Sequence, residues 1–216
     1  PAGTKVLGQT LSMPQNLTAV GNTLFLSGKS PGSPNGNQLL KTDGVTVLVV
    51  KDLEFANETE FNLPANFTNV NGTLFFSGQN STASGRQIWK SNGTNAGTTP
   101  MTNTAFGFTV GEMAHVNGTV FFAGVINEPI QNSAGHKLFR INSLNNVTEF
   151  VTAGVAELTA FENQMVFTQG GQIGTELSRA NVVGNGIPTT IKTFSSEGHP
   201  ADLTVAGTNL FFVAGN

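Results

Sequence analysis

A ten-residue segment recurs five times along this chain at nearly constant spacing. Successive copies start 50, 46, 45 and 45 residues apart, and they occupy residues 17–26, 67–76, 113–122, 158–167 and 203–212. A period of this length is typical of repeat architectures, in which each unit is one supersecondary element that cannot bury its apolar face alone. The spacing therefore constrains the fold before any single residue is considered.

Each copy contains a two-residue turn signal between two β-forming stretches. The turn is Asn-Gly at residues 71–72 and 117–118, and Gly21-Asn22, Glu162-Asn163 and Gly207-Thr208 in the other copies. Asn-Gly tolerates positive φ at both central positions, as a type I′ turn requires. The segment is predicted to form a tight antiparallel hairpin of two strands, A and B.

Strand B is apolar at both odd and even positions. Its predicted copies are residues 23–27, 73–77, 119–123, 164–168 and 209–213, and they are rich in Phe and Leu. A strand that is apolar on both faces is typical of a sheet covered by a layer on each side. The recurring phenylalanines are therefore predicted to form the core between neighbouring units.

Two further strands are predicted in each complete unit. The third covers residues 39–43, 88–92, 138–142 and 177–181, and the fourth covers residues 46–50, 98–102, 147–151 and 188–194. Four strands in about 45 residues are typical of a propeller blade. The predicted fold is all-β, a β-propeller or a propeller segment with about 4.5 four-stranded antiparallel blades of 45–50 residues.

The repeat extends over the whole chain, so residues 1–216 are predicted to form a single repeat domain. Its units are approximately 17–66, 67–112, 113–157 and 158–202, with a partial unit at 203–216. Residues 1–16 are expected to supply the last strand of a preceding or closing blade. Residues 1–10 either close a five-bladed ring beside residues 203–213 or belong to a longer array, and we favour the longer array because the motif is cut at both ends.

The third strand of the second unit carries a recognisable motif. Its sequence, Ile88-Trp-Lys-Ser-Asn-Gly-Thr-Asn-Ala-Gly-Thr98, resembles the bacterial ELWxxDGT repeat, and residues 38–44 form a second copy with Leu40 at the Trp position. The resemblance implies a large, exported or surface-attached bacterial protein with a β-propeller fold. An extracellular or cell-surface location is therefore expected.

Composition argues against several classes of function. The net charge is −3, and the ten basic residues are dispersed, so no footprint for nucleic acid is expected. No apolar run approaches the roughly 20 residues of a membrane-spanning helix, so no membrane insertion is expected. The chain has no cysteine, its three histidines fall at different repeat positions, and it has no calcium-loop motif, so no metal or cofactor is expected.

Four of the ten basic residues share one column of the third strand: Lys41, Lys90, Arg140 and Arg179. In one interpretation they line a surface that binds an acidic glycan or a protein partner. In the other, which we favour, each extends its aliphatic stem over a neighbouring blade and pairs with a local carboxylate or carbonyl group. The next polar column holds Asp43, Asn92, Asn142 and Asn181, which are interpreted as turn caps in preference to weak calcium ligands.

Several Asn-x-Ser/Thr triplets are candidate glycosylation sites if the source modifies exported proteins. The candidates that neither the hairpin turn nor the motif already explains are Asn16, Asn57, Asn66, Asn80 and Asn146.

No set of nucleophile, base and acid is apparent in the sequence. Residues 28–32 match G-x-S-x-G, but no helix is expected after them, so the match is interpreted as coincidence. The predicted function is a non-enzymatic structural or adhesive module that assembles with further copies of itself, surface proteins or glycans. The alternatives are a carbohydrate- or protein-binding propeller and, more weakly, a hydrolase.

Overall fold

The structure is a computed structural model that describes most of the chain in eleven segments. The described residues are 11–33, 38–53, 63–80, 85–102, 108–126, 135–141, 147–151, 154–170, 176–181, 187–195 and 198–215. Every regular element in these segments is a β-strand. The chain divides into two compact units, residues 1–107 and residues 108–216.

Residues 1–107 contain two four-stranded antiparallel sheets, each a simple meander. Blade 1 consists of β1 (Ser12–Val20), β2 (Thr23–Lys29), β3 (Gln38–Thr42) and β4 (Val47–Asp52), and blade 2 consists of β5 (Ala65–Val70), β6 (Thr73–Gly78), β7 (Gln87–Ser91) and β8 (Thr99–Pro100). The fourth strand of blade 2 is thus much shorter than the predicted strand at residues 98–102, because the residues before it form a long turn.

Residues 108–216 contain two further meander sheets and one hairpin. Blade 3 consists of β9 (Phe108–Val116), β10 (Thr119–Ile126), β11 (Lys137–Ile141) and β12 (Val147–Val151), and blade 4 consists of β13 (Ala156–Phe161), β14 (Gln164–Gln169), β15 (Glu176–Asn181) and β16 (Thr189–Thr193). Blade 5 is a ribbon of β17 (Ala201–Ala206) and β18 (Asn209–Val213). The prediction that residues 1–10 act as a closing strand lies outside the described residues.

All five predicted A–B hairpins form, but their turns are of two kinds. Both central residues have positive φ in Asn71-Gly72 and Asn117-Gly118, as a type I′ turn requires. Only the first central residue, Gly21, Glu162 or Gly207, has positive φ in the other three. The type I′ geometry that Asn-Gly favours is therefore confirmed in two hairpins, and the other three have the φ pattern of type II′.

The strand B residues form the core between neighbouring blades, as predicted. In residues 1–107, Phe25 and Leu39 of blade 1 pack against Leu74, Phe76 and Trp89 of blade 2. In residues 108–216, Phe121 and Leu138 of blade 3 pack against Met165 and Phe167 of blade 4. Because alternate residues of strand B point to opposite faces, Phe25 and Leu26 of blade 1 lie in two separate apolar clusters.

Candidate functional site

The basic column lies in the middle of the third strand of each complete blade. Each basic residue is the cross-strand neighbour of an apolar strand B residue, in the pairs Phe25–Lys41, Phe75–Lys90, Phe121–Arg140 and Val166–Arg179. The column therefore recurs once in each complete blade. Its proposed role in ligand binding stays a prediction.

The best-defined member of the basic column is Lys41, which joins blade 1 to blade 2. Its Nζ donates a hydrogen bond of 2.8 Å to the carbonyl oxygen of Gly93, in the turn after β7. A second lysine of blade 1, Lys51, donates to Oδ1 of Asn95 in the same turn over 3.0 Å. Lys41 thus adopts the favoured arrangement, in which a stem crosses to a neighbouring blade and its amine meets a carbonyl group.

The turn that receives both lysines, residues 92–98, is held by a chain of hydroxyl groups. Oγ of Ser91 accepts the backbone N–H of Gly93 and lies 2.7 Å from Oγ1 of Thr98. The Thr98 hydroxyl donates to the carbonyl oxygen of Thr94 over 2.6 Å, so Ser91 must be the donor to Thr98. Both hydroxyl residues are buried. Each buried hydroxyl group therefore finds, within the protein, the hydrogen-bond partners that water would otherwise provide.

The first residue of this turn, Asn92, caps its own backbone. Its Oδ1 accepts the N–H of Thr94 over 3.0 Å and the Thr94 hydroxyl over 2.7 Å. A Cβ at Gly97 would overlap the Asn92 amide, and a Cβ at Gly93, whose φ is +84°, would lie 3.3 Å from the Phe25 ring of blade 1. The Asn, Thr, second Gly and final Thr of the motif thus hold the turn itself, and the first Gly makes the contact with blade 1.

At the corresponding place in blade 1 the surface is an open polar cleft. The cleft has a volume of about 250 Å³ and is lined by Thr23, Lys41, Thr42, Asp43, Thr46 and Leu48. It combines an ammonium group, a carboxylate and three hydroxyl groups. A small polar ligand with several hydroxyl groups fits this chemistry, because all the lining side chains except that of Leu48 can donate or accept a hydrogen bond.

The Asp43 carboxylate accepts hydrogen bonds from backbone donors of its own turn. Its Oδ1 accepts the N–H of Val45 over 2.9 Å and that of Thr46 over 3.4 Å. These hydrogen bonds lower the pKa of the Asp43 carboxyl group below 3.8. Asp43 and Asn92 are thus turn caps, as we expected; Asn181 instead accepts a 2.7 Å hydrogen bond from Gln164, and Asn142 lies outside the described residues.

The candidate glycosylation residues occupy different environments. The Asn16 amide nitrogen, the atom that would carry a glycan, donates to Oγ of Ser27 and to the carbonyl oxygen of Pro64. Oδ1 of Asn66 accepts the hydroxyl of Ser77 over 2.7 Å. Asn80 follows β6, and Asn57 and Asn146 lie outside the described residues. The engaged amides of Asn16 and Asn66 make these two positions poor acceptors.

Sequence reasoning missed a second column, which lies at the kink of strand A. Asn16, Asn66, Glu157 and Asp202 occupy the same repeat position and all have φ between 54° and 57°. The register of strand A slips at this position in each of the four blades. These residues therefore form β-bulges, and Asn and Asp are among the residues that tolerate the left-handed conformation best.

A hydroxyl group on strand B fixes the bulge in three blades. The hydroxyls of Ser27 and Thr168 donate to the carbonyl oxygens of Gln15 and Ala156. In blade 2 the Ser77 hydroxyl donates to Oδ1 of the bulge residue Asn66 and lies 3.3 Å from the carbonyl oxygen of Ala65. Blade 3 has Ala123 at this position, and there the register slips one residue earlier, opposite Ala123. The repeated Ser/Ser/Thr at the end of strand B was the available sequence signal.

In blade 2 the bulge also holds an arginine. Nη2 of Arg86 donates to the carbonyl oxygens of Leu63 and Ser77, both over 2.7 Å. Burial lowers the pKa of Arg86 to about 10, so its guanidinium group is still charged at neutral pH. Arg86 therefore joins the chain just before β5 to the end of β6.

In residues 108–216 the bulge column links successive blades. Oε2 of Glu112 in blade 3 accepts the N–H of Leu158 in blade 4 over 2.7 Å, and Oε2 of Glu157 accepts the N–H of Leu203 in blade 5 over 3.4 Å. Acidic side chains that look like candidate catalytic groups are thus used to hold neighbouring A strands together. Among the described residues, no three His, Asp or Glu side chains are grouped so that they could hold a metal ion.

The sequence matches no protein-family model and no curated protein. Its fold is similar to that of several solved structures. A prolyl endopeptidase matches with a TM-score of 0.62 and 14% identity, over 93% of this chain and 31% of that one, and a putative gluconolactonase matches with a TM-score of 0.57 and 12% identity, over 100% of this chain and 77% of that one.

A puromycin-hydrolysing peptidase of Mycobacterium tuberculosis has a TM-score of 0.53 and 16% identity, over 90% of this chain and 34% of that one. This chain therefore spans about a third of the length of the two peptidases. At these identities the likeness shows the fold alone, and the fold is that of β-propeller proteins. No helix among the described segments is long and apolar enough to cross a bilayer.

Proposed function

We propose that this chain is a non-enzymatic structural or adhesive module of an extracellular or cell-surface protein. The observation that carries the proposal is the use of the motif in blade 2. Its asparagine, hydroxyl groups and close-approach glycines all serve the turn and the contact with blade 1, through Lys41 and Phe25. A repeated motif whose polar atoms join blade to blade is suited to building a rigid scaffold.

The location is tested by labelling intact cells of the source with an antibody against this chain. We expect labelling without permeabilisation, and labelling that requires permeabilisation would contradict the proposal.

Adhesion is tested separately with beads coated with the folded chain and exposed to the same cells. Beads coated with the heat-unfolded chain are the control, and equal retention of both kinds of bead would contradict an adhesive role.

The second candidate is carbohydrate binding at the blade 1 cleft. It is favoured by the grouping of Lys41 and Asp43 with the hydroxyls of Thr23, Thr42 and Thr46 in one open cavity. A glycan array probed with the natural chain and with Thr23→Val tests this candidate. We expect any retained glycan to be lost in the variant, and retention by both proteins would place binding elsewhere.

The hydrolase alternative is tested with a prolyl peptide and a sugar lactone, the substrate types suggested by the names of the structural relatives. We expect no turnover above that of buffer alone.

A further inference from the structure

The cleft of blade 1 contains a carboxylate that no basic side chain of the described segments neutralises. Oδ1 of Asp43 accepts the backbone N–H groups of Val45 and Thr46, and Oδ2 accepts no hydrogen bond from a described residue. The pKa of the Asp43 carboxyl group is lowered by backbone hydrogen bonds, and no neighbouring cation contributes to the lowering. The side chain is therefore ionised at neutral pH, and one of its two oxygens is available to a ligand.

The turn of blade 1 does not need this charge for its own structure. In blade 2 the equivalent residue, Asn92, caps its turn through Oδ1 of a neutral side chain. The space beside that turn is used by Thr98, whose hydroxyl donates to the carbonyl oxygen of Thr94. In blade 1 the carboxylate of Asp43 instead adds a negative charge and a second acceptor oxygen at a place where the surface is open.

The other charged group of the cleft, the Lys41 amine, is already engaged. It donates to the carbonyl oxygen of Gly93 in blade 2 over 2.8 Å. An anionic sugar would have to share this amine with Gly93, and it would also be repelled by Asp43. The lining residues include no aromatic side chain on which a neutral sugar could stack, and Leu48 is their one apolar member.

We infer that the cleft of blade 1 binds a sugar that carries a free amino group, with the ammonium group on Oδ2 of Asp43 and the ring hydroxyls on Thr23 and Thr46. The inference rests on the second candidate function, carbohydrate binding at this cleft, and deepens it by naming the class of sugar. Charge-assisted hydrogen bonds are roughly twice as strong as neutral ones, so a cationic sugar gains more here than a neutral one. The volume of about 250 Å³ suits a single sugar unit, since sites for drug-sized ligands enclose about 300–1,000 Å³.

NMR titration of the full chain with a glucosamine trimer tests the inference. We expect the amide signals of Val45 and Thr46 to shift, because both groups donate to Asp43. The amide of Thr94 donates to Asn92 in blade 2 and is the internal control, whose signal should stay. The N-acetylglucosamine trimer keeps the ring and removes the charge, so we expect it to bind at least about tenfold more weakly. A galacturonic acid trimer, which is anionic, should bind more weakly still.

Asp43→Asn removes the charge and keeps the capping oxygen, as Asn92 does in blade 2. We expect this variant to bind the glucosamine trimer at least about tenfold more weakly than the natural chain and to bind the N-acetylglucosamine trimer equally. Glu162→Gln removes one negative charge from the exposed turn between β13 and β14 and is the charge-matched control, which should bind like the natural chain. Circular dichroism with thermal melting shows whether Asp43→Asn folds. The comparison of the trimers on the natural chain decides the question without any variant.

Equal or tighter binding of the neutral or the anionic trimer, unchanged binding by a folded Asp43→Asn, or signal shifts that leave out Val45 and Thr46 would each overturn the inference. Equal shifts with ethanolamine at the same concentration would also overturn it, because any small cation would then suffice. Binding of the neutral trimer that is lost in Thr23→Val would overturn the choice of an amino sugar and leave carbohydrate binding standing. Failure of every trimer would overturn both, and surface labelling of cells is independent of these results.

Discussion

The turns that follow β3 and β7 occupy the same position in the repeat but have opposite properties. In both turns the hydroxyl of the first residue accepts a hydrogen bond from the N–H of a glycine two residues later. The Thr42 hydroxyl accepts from Gly44 in blade 1, and the Ser91 hydroxyl accepts from Gly93 in blade 2. The cross-strand pairs Lys41–Leu48 and Lys90–Thr99 enclose residues 42–47 and residues 91–98, so the second turn is two residues longer. The extra length lets Thr98 fold back and bury its hydroxyl, whereas blade 1 keeps an open cleft.

The comparison teaches that one backbone position can serve packing in one repeat and remain available for a ligand in the next. The filled turn of blade 2 accepts Lys41 and Lys51 from blade 1. The open turn of blade 1 exposes Asp43 and Thr46. Substitutions at equivalent positions should therefore have larger effects in blade 2 than in blade 1.

The largest difference is expected between Gly97→Ala and Gly44→Ala. A Cβ at Gly97 would displace the Asn92 cap, and we expect this overpacking to cost about 3 kcal/mol of folding free energy. A Cβ at Gly44 meets nothing within 4 Å, and its positive φ alone should cost about 1 kcal/mol. Urea unfolding of both variants measures the difference, and equal losses would contradict the contrast between a filled turn and an open one.

The next effect is expected for Thr98→Val against Thr46→Val. Removal of the Thr98 hydroxyl leaves the Ser91 hydroxyl without its acceptor in a buried place, and we expect a loss of about 2 kcal/mol. Thr46 is exposed, so its change should stay within about 0.5 kcal/mol. Thermal unfolding followed by circular dichroism provides the measurement, and a neutral Thr98→Val would show that the hydroxyl chain contributes no stability.

A smaller effect is expected for Lys41→Met, which keeps the aliphatic stem and removes the amine. The lost hydrogen bond to Gly93 is half-exposed, so we expect a loss of about 1 kcal/mol. Lys90→Met is the control, because the Lys90 amine makes no hydrogen bond within the described segments, and its change should stay within about 0.5 kcal/mol. A larger loss in the control would show that the blade-to-blade contact of Lys41 is not the cause.

The smallest effect is the pH dependence of the blade 1 turn. The backbone donors of Val45 and Thr46 lower the folded pKa of Asp43 below 3.8, so its contribution to stability is present above about pH 3.8 and is lost as the pH falls through the folded value. Asp43→Asn places the blade 2 residue in blade 1 and should remove this dependence. NMR titration of the Asp43 carboxyl carbon is the measurement, and a midpoint at or above 3.8 would contradict it.

The sequence predicted the strands well because their signals are local. Val147–Val151 was predicted at its observed bounds, and each predicted strand B lies inside an observed one. The Asn-Gly turns were predicted correctly at residues 71–72 and 117–118, where both residues accept positive φ. At Glu162-Asn163 the sequence predicted a tight hairpin but not its turn type, because this residue pair does not match Asn-Gly.

The site could be predicted only in part. The basic column was identifiable from its register, and its structural use by Lys41 agrees with the favoured interpretation. The bulge column was missed because its residues, Asn, Asn, Glu and Asp, vary in type and share only a backbone conformation. The cleft was missed because it depends on a turn that is two residues shorter in blade 1 than in blade 2. The sequence does not show that the shorter turn leaves a cavity.

The amino-acid sequence by itself determined the repeat, the order of strands within each blade and the apolar faces of strand B, because these depend on residues close together in the chain. The tertiary structure decided which carbonyl group receives the Lys41 amine and which backbone N–H groups donate to Glu112 and Glu157. Those outcomes depend on atoms that lie about 50 residues apart in sequence, as Lys41 and Gly93 do. The periodicity of side chains predicts which face of the sheet a residue occupies. Which residue it contacts on that face is determined only by the packing of the blades.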